Sequence, residues 1–71
     1  MKVHAHRFET GYSVCRKVYT LLLKSDKEVA KKFHRLVNER AGTNRGFSVL
    51  HFDVDQAIAI AARYGVKVEM S

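Results

Sequence analysis

His4 and His6 stand two residues apart, and His51 and Asp53 repeat that spacing later in the chain. Residues two apart share one face of a strand. Two such strands side by side would present nitrogen and oxygen donors of the kind that bind a transition metal. Asp53 and Asp55 are a second candidate, an acid pair for proton transfer or Mg²⁺, and Cys15 beside a histidine would make a nucleophile. Each has a plainer account. Zinc signatures have a fixed multi-ligand spacing that is missing here. Asp53 and Asp55 precede a helix-like segment, where carboxylates cap amides and complement the helix dipole. Cys15 falls on the inner side of a helical pattern, where a buried inert thiol is the default. Gly42-x-x-x-Gly46 lacks the Lys-Ser/Thr ending of a phosphate loop. The sequence therefore predicts no catalytic residue, no bound metal and no cofactor.

Charge carries more information than these constellations. Lys2, Arg7, Arg16, Lys17, Lys24, Lys27, Lys31, Lys32, Arg35, Arg40 and Arg45 all precede position 46, against only Glu9, Asp26, Glu28 and Glu39. The remaining segment holds Arg63 and Lys67 against Asp53, Asp55 and Glu69, so the whole net charge of +6 comes from the first part. A one-sided positive field attracts polyanions and speeds encounter with acidic partners. Lys27, Lys31 and Arg35 recur at i, i+4 and i+8, opposite Val29, Phe33, Leu36 and Val37, with Asn38 beside them. Arg40, Asn44 and Arg45 extend that charge into the next loop. Phosphates attract such a stripe, and Asn and Arg also read base edges. The competing account is a solvated helix face carrying a Glu28–Lys32 ion pair at i, i+4.

The elements that must position these residues follow from the hydrophobic pattern. Lys2 to Phe8 alternates as a half-buried strand, Val3 and Ala5 on one side and His4 and His6 on the other. Tyr12 to Lys24 reads as a helix with Val14, Val18, Leu21 and Leu22 as its core stripe. Tyr12, Tyr19 and Leu23, with Arg16 among them, form a second stripe, which suits a protein interface. Ser25-Asp26-Lys27-Glu28 matches a capping box with Ser25 as the cap, opening a helix that runs to about Ala41 and stops at Gly42. A helix-turn-helix would need a sharp turn soon after Phe33, and His34 to Val37 continue the helical pattern instead. Phe47 to Phe52 reads as a strand, Asp53 as the cap of a third helix ending at Tyr64–Gly65, and Val66 to Met70 as a last strand.

These segments predict one compact α+β domain over residues 1–71, in the order β-α-α-β-α-β, with a three-stranded mixed sheet packed against three helices. The last strand, helix and strand would form a right-handed βαβ unit. A chain of 71 residues buries a modest core, and partners or self-association often supplement one so small. Cys15 is the only cysteine, so no internal disulfide forms. Met1 to Phe8 lacks the apolar core of a signal peptide, and no apolar run approaches a membrane span. The expectation is a cytoplasmic protein without a membrane partner.

Three function classes follow. The first is a non-catalytic binding protein with a basic face for an anionic partner, nucleic acid foremost, through Lys27, Lys31, Arg35, Asn38, Arg40, Asn44 and Arg45. The second is a small inhibitor or adaptor docking on another protein, acidic in surface, such as a mobile-element-encoded modulator of a nucleic-acid enzyme. It would use Tyr12, Arg16, Tyr19 and Leu23, which would serve equally as a homodimer contact. The third and weakest is a small nuclease or metal-dependent enzyme built on His4, His6, His51 and Asp53.

Overall fold

The computed structural model describes residues 1–41 and 53–71. Within them the order is β1 (Lys2–Ala5), α1 (Gly11–Ser25), α2 (Lys27–Ala41), α3 (Val54–Arg63) and β2 (Lys67–Met70). The expected three-stranded mixed sheet is corrected: among the described residues the sheet has two strands, β1 and β2, paired in parallel with Val3 opposite Val68. First and last strands are thus direct neighbours, and the helices form the long connection that a parallel pair requires. Alternation reports that one face of a strand is covered; it does not report how many strands share the sheet. The strand expected over Phe47 to Phe52 lies outside the described residues.

β1 ends at Ala5, not Phe8. A turn intervenes, in which the Glu9 amide donates to the His6 carbonyl at 3.0 Å. Glu9 also accepts the His6 amide on its carboxylate at 2.7 Å. This leaves Arg7 and Phe8 at the tip. Thr10 then caps α1, its side chain accepting from the Ser13 amide at 3.1 Å.

α1 and α2 are joined by a single residue, Asp26. Its amide donates to Leu22 at 2.7 Å, closing α1, and its carboxylate accepts from the Glu28 and Val29 amides at 3.0 and 3.4 Å, opening α2. Asp26 therefore takes the capping role expected of Ser25, which is the last residue of α1. A carboxylate at that point also opposes the positive end of α2. α2 runs unbroken through His34 to Val37, as its periodicity required. Asp53 caps α3 in a full capping box with Gln56. The exit of α3 is a Schellman turn: Val66 donates to Ala61 at 3.0 Å and Gly65 to Ala62 at 3.1 Å. Gly65 sits at φ +77°, a left-handed conformation that suits glycine, and the chain reverses there into β2.

The core is shared by all three helices and one face of the sheet: Ala5, Val14, Val18, Leu22, Ala30, Phe33, Val37, Ala57, Ile60, Ala61 and Val66 are buried, together with Cys15. Phe33 meets Tyr64 edge-on at 5.8 Å, fastening α2 to the end of α3. Val29 and Leu36 are only half-buried at the core margin.

Candidate functional site

α1 is the centre of the candidate site because its two flanks open onto different grooves. On the α2 side a groove of about 410 Å³ is lined by Tyr19, Lys31, His34, Arg35, Asn38 and Glu39. Two surfaces that were separate in sequence meet here, the basic stripe of α2 and the tyrosine stripe of α1. Lys31 and Arg35 are exposed, while Tyr19, His34 and Asn38 are half-buried. The rings of Tyr19 and His34 stand 5.3 Å apart, tilted. The Asn38 amide nitrogen lies 3.4 Å from His34 Nδ1, and its buried Oδ1 has no hydrogen-bond partner among the described residues. A buried acceptor left unmet is costly. The groove therefore offers two cations for phosphate, with the Asn38 amide and the Tyr19 and His34 rings in its walls.

The other predicted residues are dispersed. Lys27 is exposed at the start of α2 and Arg40 near its end, where Arg40 lines a smaller recess with Gln56, Ala59, Ile60 and Arg63. Asn44, Arg45 and His51 lie outside the described residues. The ion pair on α2 is Glu28–Lys31 at 3.8 Å rather than the expected Glu28–Lys32, and both side chains are well exposed. Such a pair holds its charges weakly. In the second stripe, Tyr12 and Tyr19 are half-buried, and Tyr19 packs on the core. Leu23 is 37% exposed. The Arg16 guanidinium lies 5.9 Å from the centre of the Tyr12 ring.

The sequence reading missed the opposite flank of α1. There Val3, Arg16, Lys17, Thr20, Leu21 and Lys24 line an open groove of about 380 Å³ between α1 and β1. Its signal was present: Gly11 to Ser25 contains three cations and no acid. Lys17 joins this groove to the turn after β1. Its ammonium donates to the His4 carbonyl at 3.0 Å and to the Glu9 carboxylate at 2.7 Å. Glu9 further accepts from the Ser13 hydroxyl at 2.7 Å. The hydrogen bond from Lys17, then those from the His6 amide and Ser13, pull the Glu9 carboxyl down to about 2.

Of the expected metal constellation, His4, His6 and Asp53 are described and His51 is not. Among the described residues no three of the histidines, cysteines and carboxylates gather where a metal ion could sit. His4 and His6 rings stand edge to face 5.5 Å apart, and His6 Nδ1 lies 3.2 Å from the Ser71 hydroxyl. Asp53 is committed to its cap. Cys15 is wholly buried, and desolvation pushes its thiol up to about 12, far from a nucleophilic thiolate. No helix among the described residues is long and apolar enough to cross a membrane. No family model, no curated protein and no solved structure matches the chain at a significant level.

Proposed function

We propose that this protein is a non-catalytic binder of nucleic acid, RNA or DNA, which it holds by the phosphate backbone in a cytoplasmic setting. The observation that carries the reading is the convergence of Lys31, Arg35 and Asn38 with Tyr19 on one groove. Cations supply salt-dependent, sequence-tolerant affinity, and an Asn38 amide turned towards the groove adds a weak preference among bases. The surplus of basic residues before position 46 supports it by extending the field beyond the groove.

Fluorescence anisotropy with labelled RNA and DNA at low ionic strength tests it. The expected result is weak binding with little sequence preference, lost in the Lys31→Glu/Arg35→Glu variant while the melting temperature holds, because both side chains are exposed. No binding by the unaltered protein at low salt removes the reading. The rival is an adaptor or inhibitor docking on another protein, and the exposed Leu23 beside half-buried Tyr12 and Tyr19 favours it. An apolar interface of that kind would bind with little dependence on salt.

A further inference from the structure

The turn between β1 and α1 presents an aromatic ring in an unusual setting. Phe8 is 90% exposed, at the tip of a turn whose ends are fastened twice, by Glu9 N–H to the His6 carbonyl at 3.0 Å and by His6 N–H to the Glu9 carboxylate at 2.7 Å. Glu9 is itself pinned by Lys17 and Ser13, each at 2.7 Å. A singly exposed Phe is ordinary on a protein surface. The backbone that carries Phe8 is clamped, exposed Arg7 precedes it, and Lys17 of the clamp also lines the groove walled by Arg16 and Lys24. Among the described residues the other large exposed apolar side chains, Met1, Leu23 and Met70, lie at the chain start, near the end of α1 and at the end of β2.

We propose that Phe8 is a stacking platform for an unpaired nucleobase, and that Arg16 and Lys24 take the phosphates that follow, so that the nucleic acid bound is single-stranded. The inference rests on the nucleic-acid reading above and deepens it. An unpaired base offers a free face to a ring, whereas within a duplex both faces of every pair except the end ones are already stacked. Stacking on an aromatic side chain tolerates any base, which suits a site with few reading groups. A ring with two rotatable bonds on a fixed turn loses little freedom on binding. Charge complementarity sets the path. Arg16 to Lys24 spans about 12 Å of helix axis, and α1 bears no acid that would repel the backbone.

The chain contains no tryptophan, so Phe8→Trp places the sole indole at the tip, where it can be excited apart from the tyrosines. Titration of that variant with a single-stranded oligonucleotide should quench its emission, and the matching duplex should not. In anisotropy at low salt, the unaltered protein should favour the single strand. Phe8→Ala should weaken single-strand binding by about 5- to 150-fold, the range of one base stack, without changing the slope of affinity against salt. Arg16→Glu/Lys24→Glu should flatten that slope. Thermal melts of the two Phe8 variants should match the unaltered protein, and that of Arg16→Glu/Lys24→Glu should fall only slightly, because Lys24 complements the C-terminal end of α1. If Phe8→Ala binds the single strand as the unaltered protein does, or duplex is preferred, the stacking proposal is overturned and the polyanion reading stands. If the unaltered protein binds neither form but binds anionic vesicles or nothing, both fall.

Discussion

The two grooves that flank α1 are both cationic, yet their charge is composed differently. The α2-side groove draws Lys31 and Arg35 from a helix that carries its own acids, Glu28 paired to Lys31 and Glu39 in the groove wall. The β1-side groove draws Arg16, Lys17 and Lys24 from a helix with no acid at all. A dense basic run in sequence is therefore a poor guide to the field at a surface, because local acids on the same face cancel it. The sparser helix lacks such cancellation along its own length, and among the described residues Glu9 engages Lys17 while Arg16 and Lys24 stay exposed.

The largest expected effect comes from removing what both grooves share. Phe33 is wholly buried in the common core and touches Tyr64. Phe33→Ala should cost about 3–5 kcal/mol, measured by denaturant unfolding, and should weaken nucleic-acid binding through both grooves together. A loss under about 1 kcal/mol, well below that range, would mean that α2 is not held by this packing and that the groove geometry has another origin.

Next come the two charge reversals, which separate the grooves. Lys31→Glu/Arg35→Glu and Arg16→Glu/Lys24→Glu change the formal charge equally. On a single strand each phosphate contact contributes about 0.7 to the salt slope, so the slope of whatever binding remains in either pair should be lower by roughly 1.4 if both of its cations are engaged. An effect from the α1 pair alone would confine binding to the β1-side groove and end the role assigned to α2.

These tests also mark how far the sequence could be read. The extent of α2, the cap at Asp53, the stop at Gly65 and the burial of Cys15 rest on local pattern, and each was legible. The two-stranded sheet was not, since pairing between segments far apart in the chain leaves no trace in the period of either one. Lys31, Arg35 and Asn38 were legible as one helix face. Their meeting with Tyr19 was not, because it depends on how α1 packs against α2. The clamp on the turn was hidden for a similar reason: Lys17 reaches Glu9 across eight residues only once α1 has docked on β1.

Glu9 supplies a smaller, pH-dependent test of that clamp. Its carboxyl ionises at about 2 in the folded protein, below the ordinary 4.5. A group depressed by folding stabilises the native state fully above its unfolded value, and the contribution fades as pH falls through the folded value. Thermal melts between pH 4.5 and 2 should therefore show a decline that is shallower in Glu9→Gln. The same variant should loosen the turn and lower single-strand affinity more than duplex affinity. Parallel stability curves for the two forms would show that the clamp adds nothing to folding, and the preorganisation of Phe8 would lose its support.

The smallest effect sharpens the α2-side groove. Asn38 keeps a buried Oδ1 without a partner among the described residues, while its nitrogen meets His34 at 3.4 Å. An unmet buried acceptor costs about 1–3 kcal/mol, so Asn38→Leu, close in volume and free of polar atoms, should hold or raise the melting temperature. If the amide turns on binding so that its oxygen receives a donor from a base, the same change should weaken binding about 5-fold, the equivalent of one hydrogen bond near 1 kcal/mol. Because Asn38 carries no charge, the salt slope should stay fixed, which distinguishes this loss from that of Lys31 and Arg35. Stability that falls while affinity is untouched would make Asn38 a packing residue, and the groove would then hold phosphate without reading any base.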